Sequence, residues 1–189
     1  MGKREKHNST SLVFPPSIFI GPVSAASSIQ LLQTNLISHV LSIGASPSSK
    51  VTGVVYDRVS ITDSPSSSIA KICDTACDII ETALQSNNGS GRILVHCSAG
   101  ISRSPAVVTA YLMKHHNMSL RAALGQIVRA RPQASPNPGF LRELRDLELE
   151  LRGAPSLDVD ELPKREKERL ALFPVDGSEV GESGLQRYA

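Results

Sequence analysis

A short apolar run, a loop of small residues and a long apolar segment follow one another in the middle of the chain, at residues 93–113. Residues 93–95 are Ile-Leu-Val, and such a continuous apolar run is typical of a central strand that is covered on both faces. After the loop at 97–103, Ser104 and Pro105 form an N-cap and N1 pair, and residues 106–113 are apolar on nearly every side of a helix. The sequence therefore predicts a buried strand that leads through this loop into a buried helix.

Short apolar runs and helical patterns alternate through most of the chain, which is the arrangement expected of a single α/β domain. Strands are predicted at 17–20, 39–43 and 54–61, and helices at 27–34, 67–85, 119–130 and 137–152. The helix at 67–85 is amphipathic, and we expect Cys73 and Cys77 on it to be core residues. A chain of 189 residues, 40% of them hydrophobic, has room for one such domain and is too short for two full-sized ones.

The two ends of the chain are more polar than the middle and predict tails. We expect a flexible N-terminal tail over 1–14, one domain over 15–152, and a flexible acidic tail over 153–189, where eight acidic residues outnumber five basic ones. The mixed-charge run at 164–169 predicts a solvated segment, with a short helix or docking to a partner as the alternatives.

The three cysteines, Cys73, Cys77 and Cys97, are an odd number and lack the C-x2-C spacing of a metal site. They argue against a disulfide framework and favour a reducing compartment, so we expect a location in the cytoplasm, with the nucleus as a second location. No stretch approaches 18 consecutive apolar residues, so no membrane span is expected.

The loop at 97–103 has the composition of an anion-binding site. Backbone N–H groups converge on an anion where a strand leads through small residues into a helix N-terminus. The planar guanidinium of Arg103 can hold two oxygens of a phosphate, and it stabilises a Cys97 thiolate together with the helix dipole. We therefore expect the pKa of Cys97 to lie below the ordinary thiol value of about 8.5. The predicted phosphate-binding residues are Ser98, Ala99, Gly100, Ile101, Ser102 and Arg103.

The charge distribution agrees with an anionic ligand but does not require one. No acidic residue lies between Glu81 and Glu143, whereas seven Lys and Arg residues do. Such a span favours an anionic ligand if the basic side chains cluster in space. The alternative is that they are scattered over the surface and have no common role.

The segment His96-Cys97-x2-Gly100-x2-Arg103-Ser104 resembles the sequence motif of the cysteine-based protein phosphatases. The full run His-Cys-Ser-Ala-Gly-Ile-Ser-Arg-Ser resembles the dual-specificity phosphatase family more specifically. Residues 110–113, 131–132 and 136–140 are also similar to that family, and the resemblance spans about residues 15–152.

The resemblance implies a small, atypical dual-specificity phosphatase without a kinase-docking domain. The fold would be a central mixed, mostly parallel sheet flanked by helices, with the phosphatase loop between the central strand and the buried helix. The activity would be hydrolysis of phosphotyrosine and of phosphoserine or phosphothreonine in proteins, through a cysteinyl-phosphate. We expect phosphoprotein partners, a monomer, no nucleic acid or membrane partner, and no metal or other cofactor. The alternatives are a catalytically weak phosphate-binding module and a phosphatase for RNA, glycan or lipid phosphates.

Such a reaction needs a general acid on a separate, mobile segment. Asp63 ends a predicted strand just before a loop of small residues, and it lies 34 residues before Cys97, close to the position of the acid in the family. We therefore predict Asp63 as the general acid, with Asp57 as the alternative. Asp74, Asp78 and Glu81 fall on the polar face of the amphipathic helix and are expected to be solvated.

Three further residues have two candidate roles each. Ser104 is either an N-cap of the buried helix or, by resemblance, a catalytic hydroxyl that hydrogen-bonds the thiolate leaving group. His96 either supports the loop and tunes the thiol or is an ordinary buried imidazole. Asn137 is predicted to cap a helix and to steady a neighbouring loop, and we place it outside the catalytic set.

Overall fold

The structure is a computed structural model that describes residues 9–174. Its elements, in chain order, are β1 (Ser11–Phe14), β2 (Ile18–Gly21), a 3₁₀ helix (Val23–Ser27), α1 (Ile29–Thr34), β3 (His39–Ile43), β4 (Val55–Val59), α2 (Ala70–Gly89), β5 (Ile93–His96), α3 (Arg103–His115), α4 (Leu120–Ala130), α5 (Pro138–Arg152) and α6 (Glu166–Ala171). Within the described residues, no helix is both long enough and apolar enough to cross a membrane.

The five strands form one mixed sheet in the order β1-β2-β5-β3-β4. β5 lies in the middle and pairs in parallel with both β2 and β3, and β3 pairs in parallel with β4. β1 is the antiparallel edge strand, so the expectation of a mixed, mostly parallel sheet is confirmed. The carboxyl end of the central strand of such a sheet is where α/β proteins bind their ligands.

Residues on each central strand alternate between two cores, as the period of two in a β-strand requires. Ile93 and Val95 of β5 pack into a large core with α2 to α5, and Leu94 between them packs into a smaller core. The smaller core includes Ala26 of the 3₁₀ helix and Leu32 of α1. Both faces of the sheet are therefore covered, which explains the continuous apolar run in β5.

Two helices, α4 and α5, begin at the caps that the sequence predicts. Ser119 Oγ accepts a hydrogen bond from the amide of Ala122 at 3.2 Å, and Asn137 Oδ1 accepts one from Phe140 at 3.0 Å. Cys73 and Cys77 on α2 are buried, which confirms that they are core residues. These caps fix the first turns of α4 and α5, and the second cap places Asn137 at the edge of the site described below.

The predicted N-terminal tail over 1–14 is wrong for its last part. Residues 11–14 form β1, whose Val13 is buried, and the main-chain oxygen of Val13 accepts a hydrogen bond from Gln126 Nε2 at 2.8 Å. Leu12, Val13 and Phe14 are three consecutive apolar residues of which only Val13 is buried, so this four-residue edge strand shows no alternation in the sequence. Residues 1–8 lie outside the described residues.

The predicted flexible tail over 153–189 is also wrong for its first part. Leu157, Leu162 and Phe173 are buried against the domain, and residues 166–171 form α6. The apolar residues of this segment are irregularly spaced among charged ones, so they give no helical or strand period. Within the run at 164–169, residues 164–168 are exposed as expected of a solvated segment, and residues 166–169 lie in α6, which is the short-helix alternative. Residues 175–189 lie outside the described residues.

Candidate active site

The 97–103 loop connects the central strand β5 to the buried helix α3 at the carboxyl edge of the sheet. Ser98 and Ala99 are exposed at its tip, whereas Cys97 is 2% exposed at its base. α3 begins at Arg103, so its N-cap position belongs to Ser102 and the predicted N-cap at Ser104 is wrong. Ser104 instead lies fully buried in the first turn, with its hydroxyl directed at the loop.

The Cys97 sulfur accepts hydrogen bonds from polar groups of the loop and of the first turn of α3. The amide of Gly100 lies 3.3 Å from Sγ, and Ser104 Oγ donates to it from 3.4 Å. Burial raises the pKa of the Cys97 thiol, but the hydrogen bonds from Ser104 Oγ and from the amides of Ser104, Gly100 and Ile101 outweigh burial, so the net pKa lies below the ordinary value. This environment favours a thiolate.

The outer side of the loop is held by Arg131, a residue that sequence analysis missed as part of the site. Its buried guanidinium donates from Nε to the main-chain oxygen of Gly100 at 2.6 Å and from Nη2 to that of Ala99 at 3.0 Å. Gly100 has φ +68°, and a Cβ there would lie 2.6 Å from the main-chain oxygen of Gly21. A glycine is therefore required at this position, and Arg131 holds two carbonyls on the side of the loop away from the sulfur.

Arg103 lies across the mouth of the loop. Its Nη2 donates to Ser98 Oγ at 2.7 Å, and its Nη1 lies 3.5 Å from the main-chain oxygen of Ile61. Arg103 Nε is buried and has no hydrogen-bond partner, which within residues 9–174 is true of no other buried side-chain nitrogen or oxygen. Its nearest charged partner is Asp63 Oδ2 at 3.7 Å, an ion pair that is too long for a hydrogen bond, so Nε can still donate to an anion bound at the loop.

Gly44, which follows β3, makes room for that guanidinium. It has φ +80°, and a Cβ at this position would lie 2.5 Å from Arg103 Nη1 and 2.4 Å from the main-chain oxygen of Ile61. A β-carbon would therefore displace Arg103 or the segment that leads to Asp63. Gly44 was not identified from the sequence, where a glycine after a strand indicates only a turn.

Asp63 lies over the loop and is held there from three sides. Its Oδ1 accepts from Ser102 Oγ at 2.6 Å and from Asn137 Nδ2 at 2.9 Å, and its Oδ2 is 3.7 Å from Arg103 Nε. The side chain is 36% exposed, so water and a leaving group can reach the carboxylate. Ser102 and Asn137 therefore hold the Asp63 side chain in place, in addition to their positions in the loop and at the N-cap of α5.

The other carboxylates considered are placed elsewhere. Asp57 lies in the middle of β4, and its charge acts on His39 at the far, amino end of β3. Asp74 pairs with Lys114, and Glu81 accepts a hydrogen bond from Tyr111 Oη at 2.8 Å. These carboxylates on the polar face of α2 therefore contact α3 and not the 97–103 loop. Asp63 is the carboxylate that the structure brings to the loop.

His96 is fully buried beneath the loop. Its Nε2 lies 2.8 Å from Ser42 Oγ and its Nδ1 lies 3.2 Å from the main-chain oxygen of Cys97. Burial lowers the pKa of His96, opposed by the hydrogen bond to Cys97 and assisted by the charge of Arg103. A neutral imidazole with the proton on Nδ1 satisfies both contacts, because it donates to Cys97 and accepts from Ser42.

The basic residues of the acid-free span are dispersed. Arg92 donates to the main-chain oxygen of Asn35, Lys114 pairs with Asp74, and Arg121 and Arg129 bond to carbonyls of residues 156–173. Arg103 faces the mouth of the loop and Arg131 its outer side. Most basic side chains of this span are therefore scattered and have no common role, and the positive charge at the mouth of the loop comes from Arg103.

Comparison with known proteins gives a consistent result. A family model described as "Dual specificity phosphatase, catalytic domain" matches residues 18–150. The chain is 38% identical over 132 residues to dual specificity protein phosphatase 1 of Arabidopsis thaliana, covering 69% of this chain and 65% of the relative, slightly under two thirds of its length. It is 36% identical over 168 residues to dual specificity protein phosphatase 14 of Mus musculus, covering 85% and 83%.

The fold of this chain also matches solved structures. The crystal structure of human DUSP28 matches with a TM-score of 0.69 at 33% identity, covering 76% of this chain and 95% of that one. The family resemblance read from residues 96–104 is thereby confirmed, and the chain belongs to the dual specificity phosphatase family.

Proposed function

We propose that the protein hydrolyses phosphotyrosine and phosphoserine or phosphothreonine esters in proteins, with Cys97 as the nucleophile. The observation that carries this proposal is the pairing of a hydrogen-bonded Cys97 sulfur with the orphaned donor of Arg103 across the same loop. A dianionic phosphate between them would accept from Arg103 Nε and from the loop amides, and its phosphorus would face the sulfur.

The first step transfers the phosphoryl group to the enzyme. The Cys97 thiolate attacks phosphorus in line with the ester oxygen, so a sulfur–phosphorus bond forms as the phosphorus–oxygen bond breaks. Asp63, in its protonated form, gives its proton to the departing oxygen. Ser102 and Asn137 hold the carboxyl group at the loop through Oδ1, so Oδ2, which lies 3.7 Å from Arg103 Nε, is the oxygen that carries the proton to the leaving group.

The second step releases phosphate. Asp63, now a carboxylate, takes a proton from water as the water oxygen attacks the cysteinyl-phosphate, and the sulfur leaves as a thiolate. The hydroxyl of Ser104 donates to that sulfur and stabilises the developing negative charge. Arg103 and the loop amides hold the equatorial oxygens through both steps.

The substrate class follows from the uncharged lining of the loop. Positions 98–102 carry no lysine, unlike the loops of many phosphoinositide phosphatases, so the loop offers charge for one phosphate. We therefore favour phosphoproteins over lipid, glycan or RNA phosphates. All three cysteines are free, which is compatible with action in a reducing compartment such as the cytoplasm or nucleus.

The test is release of phosphate from an aryl phosphate in the presence of EDTA, with wild type and Cys97→Ser compared. We expect turnover by wild type and none by the folded variant. Full activity of Cys97→Ser would refute the assignment, and binding of phosphopeptides without turnover by wild type would identify a phosphate-binding module. Phosphopeptides, a phosphoinositide, a phosphorylated glycan and a 5′-phosphorylated RNA, assayed side by side, then decide the substrate class.

A further inference from the structure

Residues 154–173, named here the C-terminal strap, pack across the helices behind the active site. The strap lies beyond residues 18–150, which are the part matched by the family model. Leu157, Leu162 and Phe173 are buried at 1%, 2% and 3% exposure. α4 leaves room for the strap, since a Cβ at Gly125 would lie 3.0 Å from the ring of Phe173. The strap is therefore part of the packed fold.

Polar contacts, those of Glu148 buried and those of Arg121 exposed, fix the start of the strap to α4 and α5. Glu148 on α5 is fully buried, and its carboxylate accepts from the amide of Leu120 at 2.7 Å and from both the amide and hydroxyl of Ser156 at 2.7 and 2.6 Å. Arg121 on α4 donates to the main-chain oxygens of Ser156 and Leu172, each at 2.9 Å. Hydrogen bonds to charged groups in such settings are among the stronger ones in proteins.

Arg169 connects the end of the strap to the segment behind the catalytic loop. It is 6% exposed, and its guanidinium donates to three main-chain oxygens, those of Pro132 at 2.9 Å, Pro163 at 2.5 Å and Lys164 at 2.9 Å. Two of these acceptors belong to the strap itself and the third belongs to residues 131–135. Arg169 thus joins the strap to that segment.

Residues 131–135 in turn contact the catalytic loop directly. Arg131, next to Pro132, donates to the carbonyls of Gly100 and Ala99, and the amide of Ser135 donates to the carbonyl of Ile101 at 2.7 Å. Three consecutive peptide groups of the loop are therefore oriented from this segment. A peptide group whose carbonyl is held outward presents the N–H of the next residue inward, toward the sulfur and the phosphate.

We propose that Arg169 is a positioning residue for the catalytic loop, and that the C-terminal strap holds residues 131–135 against Ala99, Gly100 and Ile101 so that the loop amides stay directed at the phosphate. This inference rests on the proposed function of the loop. Loosening the strap lets these three peptide groups rotate, which weakens phosphate binding and removes hydrogen bonds that stabilise the Cys97 thiolate.

The experiment uses the full chain with the substitution Arg169→Ala, and Arg169→Lys as the conservative variant. Arg165→Ala is the matched control, because Arg165 is an exposed arginine next to α6 that forms an ion pair with Glu168. Ile37→Val, in the smaller core away from the strap, controls for loss of stability alone. The measurements are the pH dependence of Cys97 alkylation by iodoacetamide, protection of Cys97 by inorganic phosphate, and kcat/KM on an aryl phosphate. Cys97→Ser gives the background from Cys73 and Cys77.

We expect Arg169→Ala to bind phosphate roughly two- to thirtyfold more weakly, the range in which mutations along a packed network act. Its alkylation profile shifts to higher pH, its kcat/KM falls mainly through KM, and Arg169→Lys lies between it and wild type. Arg165→Ala and Ile37→Val keep the wild-type profile and phosphate affinity, although Ile37→Val melts at a lower temperature.

Two results would overturn the inference while leaving the proposed function intact. One is wild-type phosphate affinity and alkylation in folded Arg169→Ala, and the other is the same change in Ile37→Val. If Arg169→Ala does not fold, Arg121→Ala loosens the strap from its exposed side, and an unchanged profile in that variant also overturns it. If wild type itself shows an ordinary thiol and no phosphate protection, the proposed function fails and the inference fails with it.

Discussion

Replacing Ser104 by alanine tests the catalytic chemistry most specifically. Ser104 Oγ lies 3.4 Å from the Cys97 sulfur. Its side chain is fully buried, so bulk water does not take over the hydrogen bond when the hydroxyl is removed. A hydrogen bond to a charged group contributes about 1.5–3 kcal/mol. Because the sulfur becomes a thiolate again when the phosphoenzyme breaks down, this free energy is lost mainly in the second step.

The expected result is a fall in the rate of phosphoenzyme breakdown of roughly 10- to 150-fold, the factor that corresponds to that free energy. kcat/KM, which reports the steps up to phosphoryl transfer, falls much less at a pH where the thiol is ionised. The pKa of Cys97 rises, because the largest of the interactions that lower it is removed. Stopped-flow assays with an aryl phosphate should show a burst of phenol release followed by slow turnover.

The matched control is Thr109→Val. Thr109 is also buried on α3, and its hydroxyl donates to the main-chain oxygen of Pro105 at 2.8 Å rather than to the sulfur. This variant should have a lower free energy of unfolding but should show no burst of phenol release. The reasoning is refuted if Ser104→Ala shows no burst, or if its kcat and kcat/KM fall by the same factor, because Ser104 would then act before or during formation of the phosphoenzyme.

Three further substitutions test the parts of the site around the sulfur. Asp63→Ala should lower kcat by roughly 10²- to 10⁴-fold in steady-state assays on an alkyl phosphate, which needs a protonated leaving group, and by much less on a nitrophenyl ester, and an equal loss on both would contradict its role as acid. Asn137→Ala should lower the melting temperature, since an N-cap contributes about 1 kcal/mol. It should also lower kcat, because Asp63 Oδ1 loses a hydrogen bond. A lower melting temperature with unchanged kcat would show that Asn137 acts only as a cap. Gly44→Ala should weaken phosphate binding, measured by calorimetry, because its Cβ would displace Arg103, and wild-type affinity in this variant would contradict that placement.

The parts of the fold that sequence analysis predicted are those with a strong local pattern. The continuous apolar run of β5, the amphipathic pattern of α2 and the caps at Ser119 and Asn137 each lie within one element, so their residues can be read in order. β1 and the C-terminal strap were missed because the buried residues Val13, Leu157 and Leu162 follow no helical or strand period and pack against residues that are distant in sequence. Burial of such residues is decided by tertiary packing, which has no period along the chain.

The same distinction applies to the site. Cys97, Arg103 and the loop residues between them were grouped from the sequence because they lie within seven positions, and their motif resembles one known family. Arg131 and Gly44 were missed because their contacts with the loop join residues 31 or more positions apart. Asn137 was predicted to cap a helix and to steady a neighbouring loop, but that its second hydrogen bond goes to Asp63 is decided only when α5 packs beside the 97–103 loop.

The most direct test of a covalent phosphoenzyme is its detection. Ser104→Ala is mixed with an aryl phosphate, denatured at successive times and digested, and the peptide that contains Cys97 is analysed by mass spectrometry. We predict that one phosphoryl group appears on Cys97 at the rate of the burst and disappears at the rate of steady turnover. Turnover with no phosphoryl group on Cys97 at any time, or with one on another residue, would contradict the mechanism.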